Sequence, residues 1–175
     1  MPAPYHKILS KCDRALVAYL VAREVGEPDQ VVPAKRSGDR TLPLVICHSE
    51  TYSVIRNTGS CQVQTHILIK TPLAVEADQD PDGPASDSDQ LTGEVVDALW
   101  TLDDETPWDS KKLAAQITAA ARAAAIADPK KNAGLADFTA FDVRHIGGGA
   151  GIEEDLIAWT ERVTLEIDCA PSAVD

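Results

Sequence analysis

The residues that most suggest chemistry are Asp78, Asp80, Asp82 and Gly83, a DxDxDG string with Asp89 at its twelfth position. Carboxylates at alternate positions ahead of a turn-forming glycine are how an EF-hand loop gathers oxygen ligands around calcium. Three features oppose that reading. The segment before the string patterns as a strand rather than a helix, Pro81 and Pro84 restrict the loop, and position twelve is Asp where a bidentate Glu is usual. The plainer reading is a solvated acidic loop, and no metal or other cofactor is assigned.

Other candidate motifs fail on context. Gly147, Gly148, Gly149 and Gly151 lack a following GK[ST] and the strand–turn–helix setting of a dinucleotide fingerprint, so they are expected to connect two strands. Cys47, His48 and His66 supply the residue types of a thiol–imidazole pair, but they read as ordinary strand side chains and no GxSxG occurs. Glu153, Glu154 and Asp155 are consecutive in a connecting segment and read as solvated rather than as an acid–base pair. No HExxH or paired-His motif signals a transition metal, and His6 and His145 read as surface or structural residues. Cys12, Cys47, Cys61 and Cys169 form no CxxC pair and are expected as free thiols in a reducing compartment. Trp100, Trp108 and Trp159 are expected as core or interface anchors. No catalytic residue is assigned, and the expectation is a protein that is not an enzyme.

The elements that position these residues follow from periodicity. Leu9, Cys12, Leu16, Tyr19 and Leu20 form one stripe of an amphipathic helix between Tyr5 and Val25, closed by Gly26 and Pro28. Residues Glu27 to Arg40 read as a loop or a short edge strand. Leu42 to His48 and Cys61 to Leu73 read as a hairpin whose second strand turns Val63, Thr65, Ile67 and Ile69 to one face. Their connector, Ser49 to Ser60, exceeds a tight turn and is expected to project as an arm. After the acidic loop, Leu91, Val95, Leu99 and Leu102 mark a second helix. Asp109 or Ser110 caps an alanine-rich third that Asp128 and Pro129 end. Phe138 to Ile146, with Phe141 and Val143 on one face, and Ala158 to Cys169, with Trp159, Val163, Leu165 and Ile167 on one face, are the closing strands.

The order α-β-β-α-α-β-β, without internal repeat, predicts a single α+β domain over residues 1–175, its mostly antiparallel sheet packed by helices. With 44% hydrophobic residues, 175 residues suffice to bury a core without disulfides or a structural metal. The formal charge of −12 opposes sequence-specific nucleic-acid binding, which needs clustered Lys and Arg to release counterions. No run approaches 18 apolar residues, and Lys, Asp and Arg interrupt the apolar start, so neither a membrane span nor a signal peptide is expected.

This arrangement of N-terminal helix, hairpin with long arm (Leu42 to Leu73), acidic lead into a central helix (Leu91 to Leu102) and closing strands ending in WTERVTLEID resembles the tail terminator, or tail completion, proteins of long-tailed bacteriophages. The likeness covers nearly the whole chain, which is longer than many such proteins in segments 27–40 and 74–90. It implies a virion protein, assembled in the host cytoplasm, that forms a homohexameric ring on the tail tube protein. Such a ring ends tube polymerisation and offers a joining surface to a neck or head-completion protein. Head-completion and neck proteins have overlapping patterns, and a calcium-dependent binding module through Asp78, Asp80, Asp82 and Asp89 is the alternative from another class. In a ring, the arm residues Tyr52, Val54, Ile55 and Arg56 and the strand edges are the inter-subunit candidates. Glu76, Asp78, Asp80, Asp82, Asp87 and Asp89 are the candidates for an acidic lumen that passes DNA without binding it. Lys111, Lys112, Lys130 and Lys131 are expected away from that channel or against acidic partners.

Overall fold

A computed structural model describes residues 7–38, 41–55, 60–72, 87–101, 109–152 and 158–170. The described elements are α1 (Ile8–Ala22), β1 (Val31–Pro33), β2 (Leu44–Ile55), β3 (Ser60–Pro72), α2 (Asp87–Trp100), α3 (Ser110–Ala127), α4 (Pro129–Asn132), β4 (Thr139–Ile152) and β5 (Ala158–Ala170). The strands form one mixed sheet in the order β1-β2-β3-β5-β4, parallel between β1 and β2 and antiparallel elsewhere. The α+β class therefore holds. The element order gains a short edge strand, the outcome the 27–40 segment allowed, and a one-turn helix after α3.

Period-two alternation decides which face of β3 is buried. Cys61, Val63, Thr65, Ile67 and Ile69 lose all or nearly all solvent contact, joined from neighbouring strands by Val45, Cys47, Val143, Leu165, Ile167 and Cys169. The helices cover this face with Ile8, Leu16 and Leu20 of α1, Leu91, Val95 and Leu99 of α2, and Leu113, Ile117 and Ala121 of α3. A second, smaller apolar cluster, Val32, Leu44 and Ile46 against Leu68, lies on the opposite face. The rest of that face carries polar residues such as Gln62, Gln64, Glu166 and Asp168.

Local chemistry fixes the helix ends. Asp109 caps α3, its Oδ1 accepting from the Lys111 N–H at 2.8 Å. Asp128 closes α3 and caps α4, accepting from the Lys131 N–H, while Pro129 fills the first turn where no N–H is needed. Helix α1 ends earlier than Gly26. Glu24 takes φ 59°, and the N–H groups of Glu24 and Val25 bond the carbonyls of Val21 and Leu20 in a Schellman closure. Gly26, also at positive φ, donates its N–H to Glu94 Oε2 at 2.7 Å, and the Tyr19 hydroxyl donates to the Ala98 carbonyl, so α1 and α2 are joined at two points.

Three expectations are corrected. The segment 49–55, expected to belong to a connector that projects as an arm, is itself strand. It continues β2, paired to β3 as far as Ile55↔Ser60, because its β-branched and aromatic residues suit a ladder. The glycine run is not a connection either. Gly147 to Ile152 pair with β5 from Thr164 to Trp159, since the ladder is made by backbone and needs no side chains. Finally, Phe141 does not share the buried face of Val143. A bulge between Ala140 and Asp142 expels it, leaving it 50% exposed beside a fully buried Val143.

A Cβ added at Gly148 would lie 2.7 Å from the Arg162 carbonyl oxygen, whereas one added at Gly151 would meet nothing within 4 Å. Gly148→Ala is expected to destabilise the fold by roughly 1–3 kcal/mol. Gly151→Ala should stay within about 0.5 kcal/mol of the parent. Urea unfolding of the two variants compares them directly; equal stabilities would mean that the ladder tolerates a side chain at 148.

Candidate functional site

The hairpin β2–β3 carries the sequence-derived interface candidates, and its geometry begins with β1. That strand covers β2 only from Val45 to Cys47. Beyond it β2 is an edge of the sheet among the described residues, and Tyr52 and Val54 stand on this edge 47% and 39% exposed. Register places both opposite Val63 and Cys61, on the helix-covered face but past the cover that the helices give β3. Ile55 is half-buried at the last described pair. Arg56 lies outside the described residues.

The root of this edge is a buried polar chain. Asp13 of α1 accepts the Ser49 N–H at 2.5 Å, the Ser49 and Thr65 hydroxyls are 2.8 Å apart, and Cys12 Sγ is 3.7 Å from Thr65 Oγ1. All four residues are buried. Burial pushes the Asp13 carboxyl up to about 6, although the Ser49 hydrogen bonds and the charges of His48 and Lys35 act in the opposite direction. One residue further, the ladder shifts between Ser49 and Thr51, and Glu50 emerges on the opposite face, which no described helix covers. There Glu50 Oε2 meets His66 Nε2 at 2.8 Å, and His66 Nδ1 is 2.8 Å from Thr164 Oγ1. The hydrogen bond to His66 is the main cause that holds the Glu50 carboxyl below its ordinary range. His48 is the direct cross-strand partner of His66.

A thiol–imidazole pair is excluded by this register. Cys47 points into the core, while His48 and His66 share the opposite face. The structure instead draws together cysteines far apart in sequence. Cys61 stands opposite Cys169 in the ladder, and the Cys12 thiol acts on that of Cys169. All four are free and buried. Burial pushes the Cys47 thiol well up, and for Cys169 the interaction with the Cys12 thiol leads the same effect, ahead of burial.

The acidic candidates Glu76, Asp78, Asp80 and Asp82 lie outside the described residues, as do Glu153, Glu154, Asp155 and Trp108. Asp87 and Asp89 fall in the first turn of α2, where only the backbone is described. Among the described residues no three His, Cys, Asp or Glu donors already converge on one point. Lys111, Lys112, Lys130 and Lys131 are exposed on α3 and α4. The uncovered face also holds a cluster that sequence reasoning missed: Arg144 bonds Glu166, Asp142 and Asp168, with 3.1 Å from Nη2 to Asp168 Oδ1. Alternation from Asp142 to Arg144 and from Glu166 to Asp168 was its available signal. A groove of about 290 Å³ lies between α1, β1 and α4, its floor formed by residues such as Val17, Val31 and Leu135. Arg14 at its rim bonds the Lys131 carbonyl and Asn132 Oδ1.

The raised Asp13 carboxyl has a defined sign in stability. Folding favours its protonated form, so its contribution is best below about pH 4 and is lost as pH rises through about 6. Asp13→Asn keeps an oxygen acceptor for Ser49 and cannot ionise. It should therefore be more stable than the parent above pH 6, by up to about 3 kcal/mol, with the gain vanishing near pH 4. Thermal unfolding of both proteins across pH 4–8 measures this; a variant no more stable at pH 7.5 would contradict it.

No family model matches the chain, and no curated protein sequence matches it significantly.

Proposed function

We propose that the chain is a structural virion protein of the tail-terminator type, which closes into a homohexameric ring on the phage tail tube. The ring ends polymerisation of the tube protein and offers a joining surface to a neck or head-completion protein. DNA passes through it without specific binding, and the protein performs no catalysis.

The observation that carries this reading is the asymmetry of the sheet edges. On one side, β2 outruns β1 and presents Tyr52 and Val54. On the other, β4 is the outermost strand, with Phe141, Ile146 and Ile152 exposed along it. Two unlike edges on opposite sides of one sheet suit head-to-tail association, in which each subunit offers one patch to each neighbour and rotation closes the ring. Strand addition supplies the hydrogen bonds, and the exposed apolar side chains supply the buried area. The net charge of −12 fits a ring that repels the DNA it encircles. No described helix is long and apolar enough to cross a membrane.

A neck or head-completion protein would use the same edges in a different ring, but no observation favours it over the terminator. The calcium-module alternative rests on Asp78, Asp80 and Asp82, which lie outside the described residues, and on Asp89, of which only the backbone is described.

Native mass spectrometry over a range of protein concentrations, with and without millimolar calcium or magnesium, tests the reading. A hexamer is expected, and Tyr52→Asp combined with Val54→Asp should shift it to monomer. A monomer at every concentration, alone and mixed with tail tubes, would contradict it, and calcium bound to a persistent monomer would favour the binding module.

A further inference from the structure

We propose that Cys61 and Cys169, paired across β3 and β5, are a redox pair that a low-molecular-weight disulfide such as glutathione disulfide closes into a cross-strand bond. This inference is independent of the ring.

The ladder sets the geometry. Cys61 stands directly opposite Cys169 in the antiparallel pairing of β3 with β5, and both side chains enter the helix-covered face, where both are buried as free thiols. Directly opposed residues of an antiparallel pair have Cα atoms about 4.5 or 5.5 Å apart, inside the roughly 4.4–6.8 Å that a disulfide spans. Their Cβ atoms, about 4.5–5.5 Å apart in such a pair, close by about 1 Å or less to reach the upper end of the disulfide range. The other two thiols are placed less well. Cys47 faces Ile67 in the ladder, and Cys12 belongs to the helical layer, with its Sγ 3.7 Å from Thr65 Oγ1. The Cys12 thiol does act on that of Cys169, so the test must tell these two pairings apart.

Position gives the pair its access. Burial holds the Cys61 thiol above its ordinary range, so its thiolate is reached through local opening of the strands. Strand ends open at lower cost than a core, and both cysteines sit at such ends. Cys61 follows Ser60, the first residue of β3, and Cys169 precedes Ala170, the last of β5. Val54, opposite Cys61 on β2, is 39% exposed, which makes Cys61 the first of the two to react. Its thiolate attacks one sulfur of glutathione disulfide, forming a mixed disulfide and releasing one glutathione thiolate. The Cys169 thiolate then attacks the Cys61 sulfur and releases the second glutathione. Two protein thiols are oxidised, one glutathione disulfide is reduced, and the two protons pass to the two glutathione thiols. Closed, the bond fixes β3 to β5 at the end of the sheet where β2 presents Val54.

Incubation of the full native chain with glutathione disulfide, in buffer and in urea below the unfolding transition, tests the pair. After an acid quench, alkylation under denaturing conditions counts the remaining thiols, and mass spectrometry of the digested chain identifies the linked peptides. The count is expected to fall from four to two in most molecules, with Cys61 joined to Cys169 and the four thiols restored by dithiothreitol. Cys12→Ala should still form the bond, and Cys61→Ala should not. The linkage is mapped on the parent chain, so the result does not depend on a variant folding. The proposal is overturned if four thiols persist under both conditions, if Cys169 is joined to Cys12 or Cys47 instead, or if a mixed disulfide with glutathione accumulates unresolved.

Discussion

The fold turns on the bond between the Asp13 carboxylate and the Ser49 N–H. It forms where β1 stops and β2 continues alone. An unbonded N–H buried at that point would be costly, and so would a buried carboxylate without a donor. Each satisfies the other. Their bond ties α1 to the sheet at the residue before the ladder shifts register. The shift sends Glu50 to the uncovered face and keeps Tyr52 and Val54 on the face of Val63 and Cys61. The composition of the β2 edge beyond β1 and the polar cluster behind it both follow from this junction.

A single helical layer explains why the two faces differ. All three long helices among the described residues cover one side, so the other needs no continuous apolar surface. It is held instead by cross-strand pairs such as Arg144 with Glu166 and Asp168, partly solvated and modest in energy. The edges are treated unequally. Two bulges interrupt β4, between Ala140 and Asp142 and between His145 and Gly147, and leave Gly147 to Ile152 as its regular stretch for a partner strand. Among the described residues, the stretch from Thr51 to Ile55 carries no bulge and has a ladder partner, β3, on one side. A regular stretch on each edge, the one on β4 marked off by bulges, is consistent with a contact made at a chosen place.

Much of this was legible in the sequence. The buried face of β3, the stripe of α1, the Asp109 cap and the α2 positions Leu91, Val95 and Leu99 all emerged from periodicity and capping, which are local. What escaped depends on partners distant in sequence. The glycines of β4 carry no side-chain pattern, so only pairing with β5 identifies them as strand. Phe141 obeyed the alternation until a bulge broke it. The Cys12–Cys169 contact and the His48–His66 pairing join residues whose spacing matches no motif, because sheet register sets them. The acidic string from Asp78 to Gly83, the most suggestive run in the sequence, lies outside the described residues.

The central claim is that the half of β2 beyond β1, an edge of the sheet among the described residues, is covered by another copy of the chain. Hydrogen–deuterium exchange of the backbone amides of residues 51–55, measured from dilute to concentrated protein, tests it most directly. The account predicts that those of these amides not bonded to β3 exchange fast in dilute solution and become protected, together with amides of β4, as concentration rises. Fast exchange of the same amides at every concentration, including where the protein is oligomeric, would contradict it.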